Sequence, residues 1–157
     1  MSKFQLKNFF KDVYDLMLVF FQFFIISLHF FQWEFLPQKQ IIQPSAFSYF
    51  LGILIIIIAF IIILVSIKDL GRNLSPFPRP INNSNLVTTG IYRFTRHPMY
   101  YSLIFISIGF FIIKLSIYYL FLTISLALII KFKIVLEEKY LMNKFKNYLL
   151  YKNEVKV

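Results

Sequence analysis

Long uncharged apolar runs alternate along this chain with short basic segments. The clearest run, Phe47 to Ile67, holds 21 residues without a charge, including Ile55 to Ile58 and Ile61 to Ile63. A bilayer core about 30 Å thick needs about 20 helical residues. So many β-branched residues would favour strand in water, but in lipid every backbone group must bond internally, and helix wins. Leu16 to Trp33 gives a second uncharged run of 18 residues. It follows Lys3, Lys7 and Lys11 as a signal peptide would, yet no small-residue cleavage site comes after it. It reads as an uncleaved first helix with Trp33 at the interface. Met99 to Ile113 and Leu115 to Ile130 are shorter runs, and Lys114 between them reads as the tip of a helical hairpin. No Pro or Gly follows Gly109, so the last helix is expected to continue through Glu137 to Tyr148. The pattern predicts an all-α integral membrane protein forming a single domain over 1–157, with transmembrane helices near 14–33, 47–67, 99–113 and 115–135.

Lys and Arg placement orients the helices. The first loop carries only Lys39 and the hairpin tip only Lys114. The second loop carries Lys68, Arg72, Arg79, Arg93 and Arg96, and the tail after the last run carries Lys131, Lys133, Lys139, Lys144, Lys146, Lys152 and Lys156. Both termini and the long loop are therefore expected on the cytoplasmic side.

Composition agrees with a membrane chain. Hydrophobic residues make up 59% and charged residues 15%, where a soluble domain has about half and a quarter. The net charge of +10 is then better explained by cytoplasmic membrane flanks than by a nucleic-acid partner, and none is expected. With no cysteine there is no disulfide, thiolate nucleophile or Cys-ligated metal, and no metal site is expected. Heavy use of Ile, Phe, Lys and Asn suggests an AT-rich genome and a bacterial inner membrane.

The chemistry lies in the long loop and the tail. Pro76, Pro78 and Pro80 hold one stretch extended, and Asn82-Asn83-Ser84-Asn85 signals a turn. His97 precedes Pro98, which disfavours helix at His97 and suits the first position of the helix that follows. The free N–H groups of that helix start, with Arg96 beside them, make a corner suited to a carboxylate or phosphate. In the tail, Lys133, Glu137, Leu141 and Phe145 recur every fourth residue, with Tyr148 three further on, as one face of one helix. Glu137 and Glu138 can meet a cationic group there.

Leu86-Val87-Thr88-Thr89-Gly90-Ile91-Tyr92 followed by Arg96-His97-Pro98-Met99-Tyr100 resembles the signature of the isoprenylcysteine carboxyl methyltransferase family, shared by the related phospholipid N-methyltransferases. Glu137-Glu138, Leu141, Phe145, Tyr148 and Tyr151 resemble the family's second motif, and Gly71 to Pro76 is similar to bacterial members. The likeness covers about residues 68–151. This chain has Lys133 where the family usually has Arg, Lys146 where it usually has Gly, and one residue fewer between Phe145 and Tyr148.

The resemblance implies S-adenosyl-L-methionine as cofactor, held at the cytosolic face by residues 68–100 and 133–151. Carried over by position, Ser84, Asn85, Leu86, Val87, Tyr92, His97, Pro98, Met99, Tyr100 and Glu137 would bind it, with His97, Tyr100 and Glu137 as catalytic candidates. Lys133 and Arg96 would bind the acceptor. The expected activity is S-adenosylmethionine-dependent methylation of a lipophilic or lipidated acceptor, drawn from the membrane lipid phase, most naturally at a carboxylate. The alternatives are phospholipid N-methylation, a relative of the NADPH-dependent sterol-type reductases with a similar Arg-His-Pro-aromatic motif, a non-catalytic membrane subunit, and a basic protein that gathers anionic lipids. Plainer readings stand beside the roles. Arg96-His97-Pro98 also serves as a basic flank and helix cap, Glu137 as a surface carboxylate, and Lys133 as a snorkelling anchor. His29 reads as structural, and Tyr118 and Tyr119 as interface residues.

Overall fold

The structure, a computed structural model, describes residues 3–31 and 39–155, with side chains from residue 12 onward. Trp33 lies outside the described residues. Among the described residues five helices follow one another: α1 (Lys3–Leu28), α2 (Ala46–Leu70), α3 (Pro98–Lys114), α4 (Ile117–Lys144) and α5 (Tyr148–Glu154). Two 3₁₀ turns, Gly71–Asn73 and Gly90–Arg93, lie between α2 and α3. Helices α2 and α4 are long and apolar enough to cross a membrane, and α3 is a shorter apolar helix. Their large side chains face outward: Phe50, Phe60, Phe121 and Phe132 are all exposed. Small and polar residues turn inward, including Ser48, Gly52, Ala59 and Ser66 of α2 and Ser102, Ser107 and Gly109 of α3. This is an all-α membrane protein.

That inversion is expected where the solvent is lipid. Burying a Leu against a neighbour gains little over leaving it in acyl chains, so helices associate through close contact of small residues. Gly52 and Gly109 make the contact between α2 and α3. A Cβ on Gly52 would stand 2.7 Å from the Gly109 carbonyl oxygen, and one on Gly109 would stand 2.9 Å from the Gly52 carbonyl oxygen. The helices pack in the order α2, α3, α4, α1, and α5 folds back on α4.

Ser45 and Ser116 cap α2 and α4 by accepting from the backbone N–H groups of Ser48 and Tyr118 at 3.2 and 3.3 Å. Between α3 and α4, Leu115 takes the left-handed conformation (φ 42°) and makes the tight hairpin that Lys114 foretold. The first loop lies across this tip, with Ile41 N–H donating to the Leu115 carbonyl at 2.7 Å. The opposite end of the bundle gathers the long loop and α5.

Three expectations change. The first helix ends at Leu28, short of residue 33. His29 Nδ1 donates to the Ile25 carbonyl at 2.9 Å, taking the acceptor its own backbone N–H would need, and that N–H shifts to Ile26 at 3.1 Å. Tyr119 is not an interface residue: it is 1% exposed, with its ring against His29. Finally, α4 stops at Lys144. Phe145 is extended and a turn leads into α5, so Phe145 and Tyr148 do not continue one helix face. His29 does prove structural. Its Nε2 meets Ser107 Oγ at 2.7 Å, and Ser107 meets Thr123 Oγ1 at 2.8 Å, joining α1, α3 and α4.

Gly52→Ala and Gly109→Ala each force two backbones apart. Each is expected to destabilise the detergent-solubilised protein by about 1–3 kcal/mol, read as a lowered thermal midpoint, whereas Ala59→Gly should leave the α2–α3 spacing intact.

Candidate active site

The loop from α2 to α3 is ordered by its own polar groups. The Asp69 carboxylate accepts from Ile91 N–H at 2.8 Å. Gly90, with φ +62°, lies so close that any Cβ would collide with that carboxylate. This turns Tyr92 inward, where it is 7% exposed. Asn73 Oδ1 accepts from Asn85 N–H at 3.0 Å. Lys144 Nζ donates to the Asn82 carbonyl at 2.9 Å and to Ser84 Oγ at 2.8 Å, tying the Asn-rich turn to the end of α4. The Pro76–Pro80 strap is fixed twice. Lys133 Nζ donates to the Pro76 carbonyl at 3.0 Å. Arg79 pairs with Asp12 at 2.6 Å and Asp15 at 2.8 Å on α1, and covers the Tyr140 ring at 5.3 Å.

His97 takes the cap position before α3 with Pro98 in its first turn, as the sequence requires. Beside it, the buried Glu138 carboxylate collects cations. Arg96 Nε and Nη2 donate to Oε1 at 2.9 and 2.8 Å, and Lys152 Nζ reaches Oε2 at 2.6 Å. Arg96 also donates to the Lys152 and Val155 carbonyls, groups that the end of α5 leaves without helical partners. Tyr151 completes the attachment of α5 through its hydroxyl, which donates to the Tyr92 carbonyl at 2.6 Å. Burial pushes the Tyr151 phenol up to about 12, against the pull of Arg96.

Above this anchor lies one cavity of about 360 Å³, within the range of small-molecule sites. Of the residues singled out in the sequence, Ser84, Asn85, Leu86, Val87, Tyr92, Arg96, His97, Met99, Tyr100, Lys133 and Glu137 all line it. Pro98 does not: it is buried at the start of α3 and shapes the corner without facing the space. Arg96 reaches the wall with its guanidinium turned to Glu138 and the α5 carbonyls. Glu137, one residue from Glu138, accepts the Tyr100 hydroxyl at 2.6 Å. The Tyr100 ring stacks on His97 with centroids 5.7 Å apart, and Lys133 Nζ lies 5.2 Å from its centre. His97 Nε2 is 3.5 Å from Glu138 Oε1, too far for a good hydrogen bond. The Tyr148 hydroxyl, also on the wall, is buried with no partner among the described residues. Burial and the nearby Glu137 charge raise the Tyr92 phenol above its ordinary value, so it stays a neutral donor.

Sequence reasoning missed the α1 contribution. Gln22, Phe23 and Ile26 also line the cavity, and Gln22 Oε1 accepts from Lys133 Nζ. Its signal was present: an amide in the middle of an apolar helix needs a partner. Among the described residues no group of three His, Asp or Glu is placed to hold a metal ion.

The cavity framed by the Arg96-to-Tyr100 and Glu137-Glu138 segments lies at one end of an all-α membrane bundle, and a family match makes the protein a membrane methyltransferase. The model of the phospholipid methyltransferase family matches residues 47–148, most of the chain, and the protein belongs to that family. No curated protein and no solved structure matches it.

The two adjacent carboxylates should respond differently to the same change. Glu138→Gln leaves Arg96 buried without its counter-ion and should cost about 3–5 kcal/mol of stability. Glu137→Gln keeps the Tyr100 bond and should cost under about 1 kcal/mol. Thermal unfolding of both variants checks this. A pH titration tests the α5 attachment. The folded Tyr151 hydroxyl holds its proton more tightly than an unfolded tyrosine, so its contribution is complete below about pH 10 and is lost as pH rises through about 12. Near-ultraviolet dichroism should show α5 release in that window, and Tyr151→Phe should remove that alkaline step.

Proposed function

We propose that this protein transfers a methyl group from S-adenosyl-L-methionine to a lipophilic acceptor at the cytosolic membrane face, and that the acceptor atom is a carboxylate oxygen. One observation carries the reading. Glu137 and Lys133, one turn apart on α4, face the same cavity, and each hydrogen-bonds to other groups rather than forming an ion pair with the other.

The wall residues suit such a cofactor. Glu137 offers a carboxylate to an ammonium, Tyr92 offers a ring face to a cation, and the unpartnered Tyr148 hydroxyl offers a donor. Bound there, S-adenosylmethionine would supply an electrophilic methyl carbon on a sulfonium. Tyr100 orients Glu137 through its hydroxyl, and His97 stacks behind Tyr100, so the three catalytic candidates form one packed unit. Ser84 to Val87 close the loop side. Phe23, Ile26 and Leu103 give the cavity an apolar end continuous with the lipid-facing helices, which suits a membrane-borne acceptor and keeps water out. A carboxylate needs no general base, and neutralisation of its charge during transfer is helped by a dry site. Lys133 supplies the cation that attracts it. Phospholipid amine methylation is the second reading, favoured by the family to which the chain belongs.

The arrangement in the membrane follows the charge pattern: a multi-pass protein with both termini and the site on the cytoplasmic side of a bacterial inner membrane. Reporters fused after Ser84 and after Val157 should be active in the cytoplasm, and one fused at Gln40 should not.

Calorimetry should show S-adenosylmethionine binding that weakens at least about tenfold in Glu137→Gln, the loss of one charge-assisted hydrogen bond. Labelled methyl transfer into extracted membrane lipids decides the acceptor. Base-labile label, lost in Lys133→Glu and kept in Lys133→Arg, is the expected result, because a guanidinium also grips a carboxylate. Base-stable label with an active Lys133→Glu variant would make the phospholipid amine the acceptor.

A further inference from the structure

The family match begins at residue 47 and leaves α1 outside it. Yet α1 supplies the side chain that meets the Lys133 ammonium. Lys133 is 1% exposed, and its hydrogen-bond partners are two neutral oxygens, Gln22 Oε1 and the Pro76 carbonyl. An ammonium only donates, so the Gln22 amide must turn its oxygen to Lys133. That fixes where the Gln22 NH₂ group goes: away from Lys133 Nζ, on a side chain that is 6% exposed and lines the cavity. No partner for that nitrogen occurs among the described residues. The site thus holds a buried cation without a counter-ion in hydrogen-bonding contact and, one amide away, a second donor. Buried charges normally have ionic partners. A carboxylate has two oxygens and can take one donor from each.

We propose that Gln22 and Lys133 together form the subsite for the acceptor's carboxylate, with Gln22 as the specificity-determining residue. Its oxygen positions the ammonium, and its NH₂ donates to the second carboxylate oxygen. An ammonium acceptor would find two donors and no acceptor there, so the subsite discriminates by charge and by hydrogen-bond direction. This rests on the carboxylate reading of the proposed function.

The probes are palmitate and hexadecylamine, of equal chain length and opposite charge, titrated into the full detergent-solubilised protein with binding read by calorimetry. The wild type should bind palmitate at least about tenfold more tightly than hexadecylamine. Gln22→Leu should lose most of that preference, and Gln22→Glu should invert it by giving Lys133 an internal counter-ion and the amine an acceptor. S-adenosylmethionine affinity, read in the same preparations, should stay within about twofold in both variants, which also shows that they are folded. Gln22 variants that keep the wild-type preference, while Lys133→Met abolishes it, would overturn the role of Gln22 and leave the carboxylate reading standing. A wild type that prefers hexadecylamine would overturn the subsite together with that reading. A wild type that binds palmitate but not S-adenosylmethionine would overturn the proposed function and the subsite's role toward a methyl acceptor, while Gln22-dependent palmitate binding would still show the carboxylate contact itself.

Discussion

The Glu138 carboxylate sets the geometry on which the rest of the site depends. A carboxylate 8% exposed in a lipid-embedded protein must be neutralised. Its partners come from the start of α3 and from α5: Arg96 at 2.8 Å and Lys152 at 2.6 Å. Meeting both brings three helix ends together. Arg96 is then held where it also satisfies the last carbonyls of α5, and His97 is fixed at the head of α3. Successive residues of a helix are rotated by about 100°. With Glu138 turned toward the anchor, Glu137 is turned toward the cavity. One residue builds the corner and its neighbour lines the cavity.

The membrane explains why the corner is so polar and the rest so plain. Outside, α2 and α4 present Phe, Ile and Leu to lipid, and no specific contact is needed. Inside, adhesion comes from the Gly52–Gly109 approach and from hydroxyl and imidazole bonds such as His29–Ser107–Thr123. Such polar links are each worth on the order of 1 kcal/mol in lipid. They set register without consuming the residues that line the cavity.

Much of this was legible in the sequence because bilayer physics leaves few choices. Uncharged runs gave α2 and the α3–α4 hairpin, His97-Pro98 gave a cap, and the family resemblance pointed to the Arg96-to-Tyr100 and Glu137 segments that line the cavity. What could not be read depends on partners distant in the chain. Nothing local says that Gln22 meets Lys133, 111 residues away. Tyr119 looked interfacial by its place near a hairpin tip, yet His29 and α1 bury it. The end of α4 at Lys144 was hidden because no Pro or Gly marks it. Tertiary attachment makes the break: Lys144 is drawn to the Asn82 carbonyl and Ser84, and Tyr148 and Tyr151 pack beneath Tyr92 and Arg96. The Asp15–Arg79 pair was invisible for the same reason.

Lys133 and Glu137 deserve to be read as a pair held apart. At i and i+4 on one helix, opposite charges ordinarily meet and gain a few tenths of a kcal/mol. Here Tyr100 touches both, its hydroxyl bonded to Glu137 and its ring against Lys133. Gln22 and Pro76 hold the ammonium from the other side. Buried charges without an ion-pair partner cost stability, and folds carry that cost where a ligand supplies the missing partner. A cavity with a carboxylate on one wall and an ammonium on another, with no ion pair between them, suits the two groups of opposite charge that the proposed reaction requires. The proposed methyl transfer from a cationic donor to an anionic acceptor brings together two groups of that description, and the four-residue spacing on α4 sets Lys133 and Glu137 one helical turn apart.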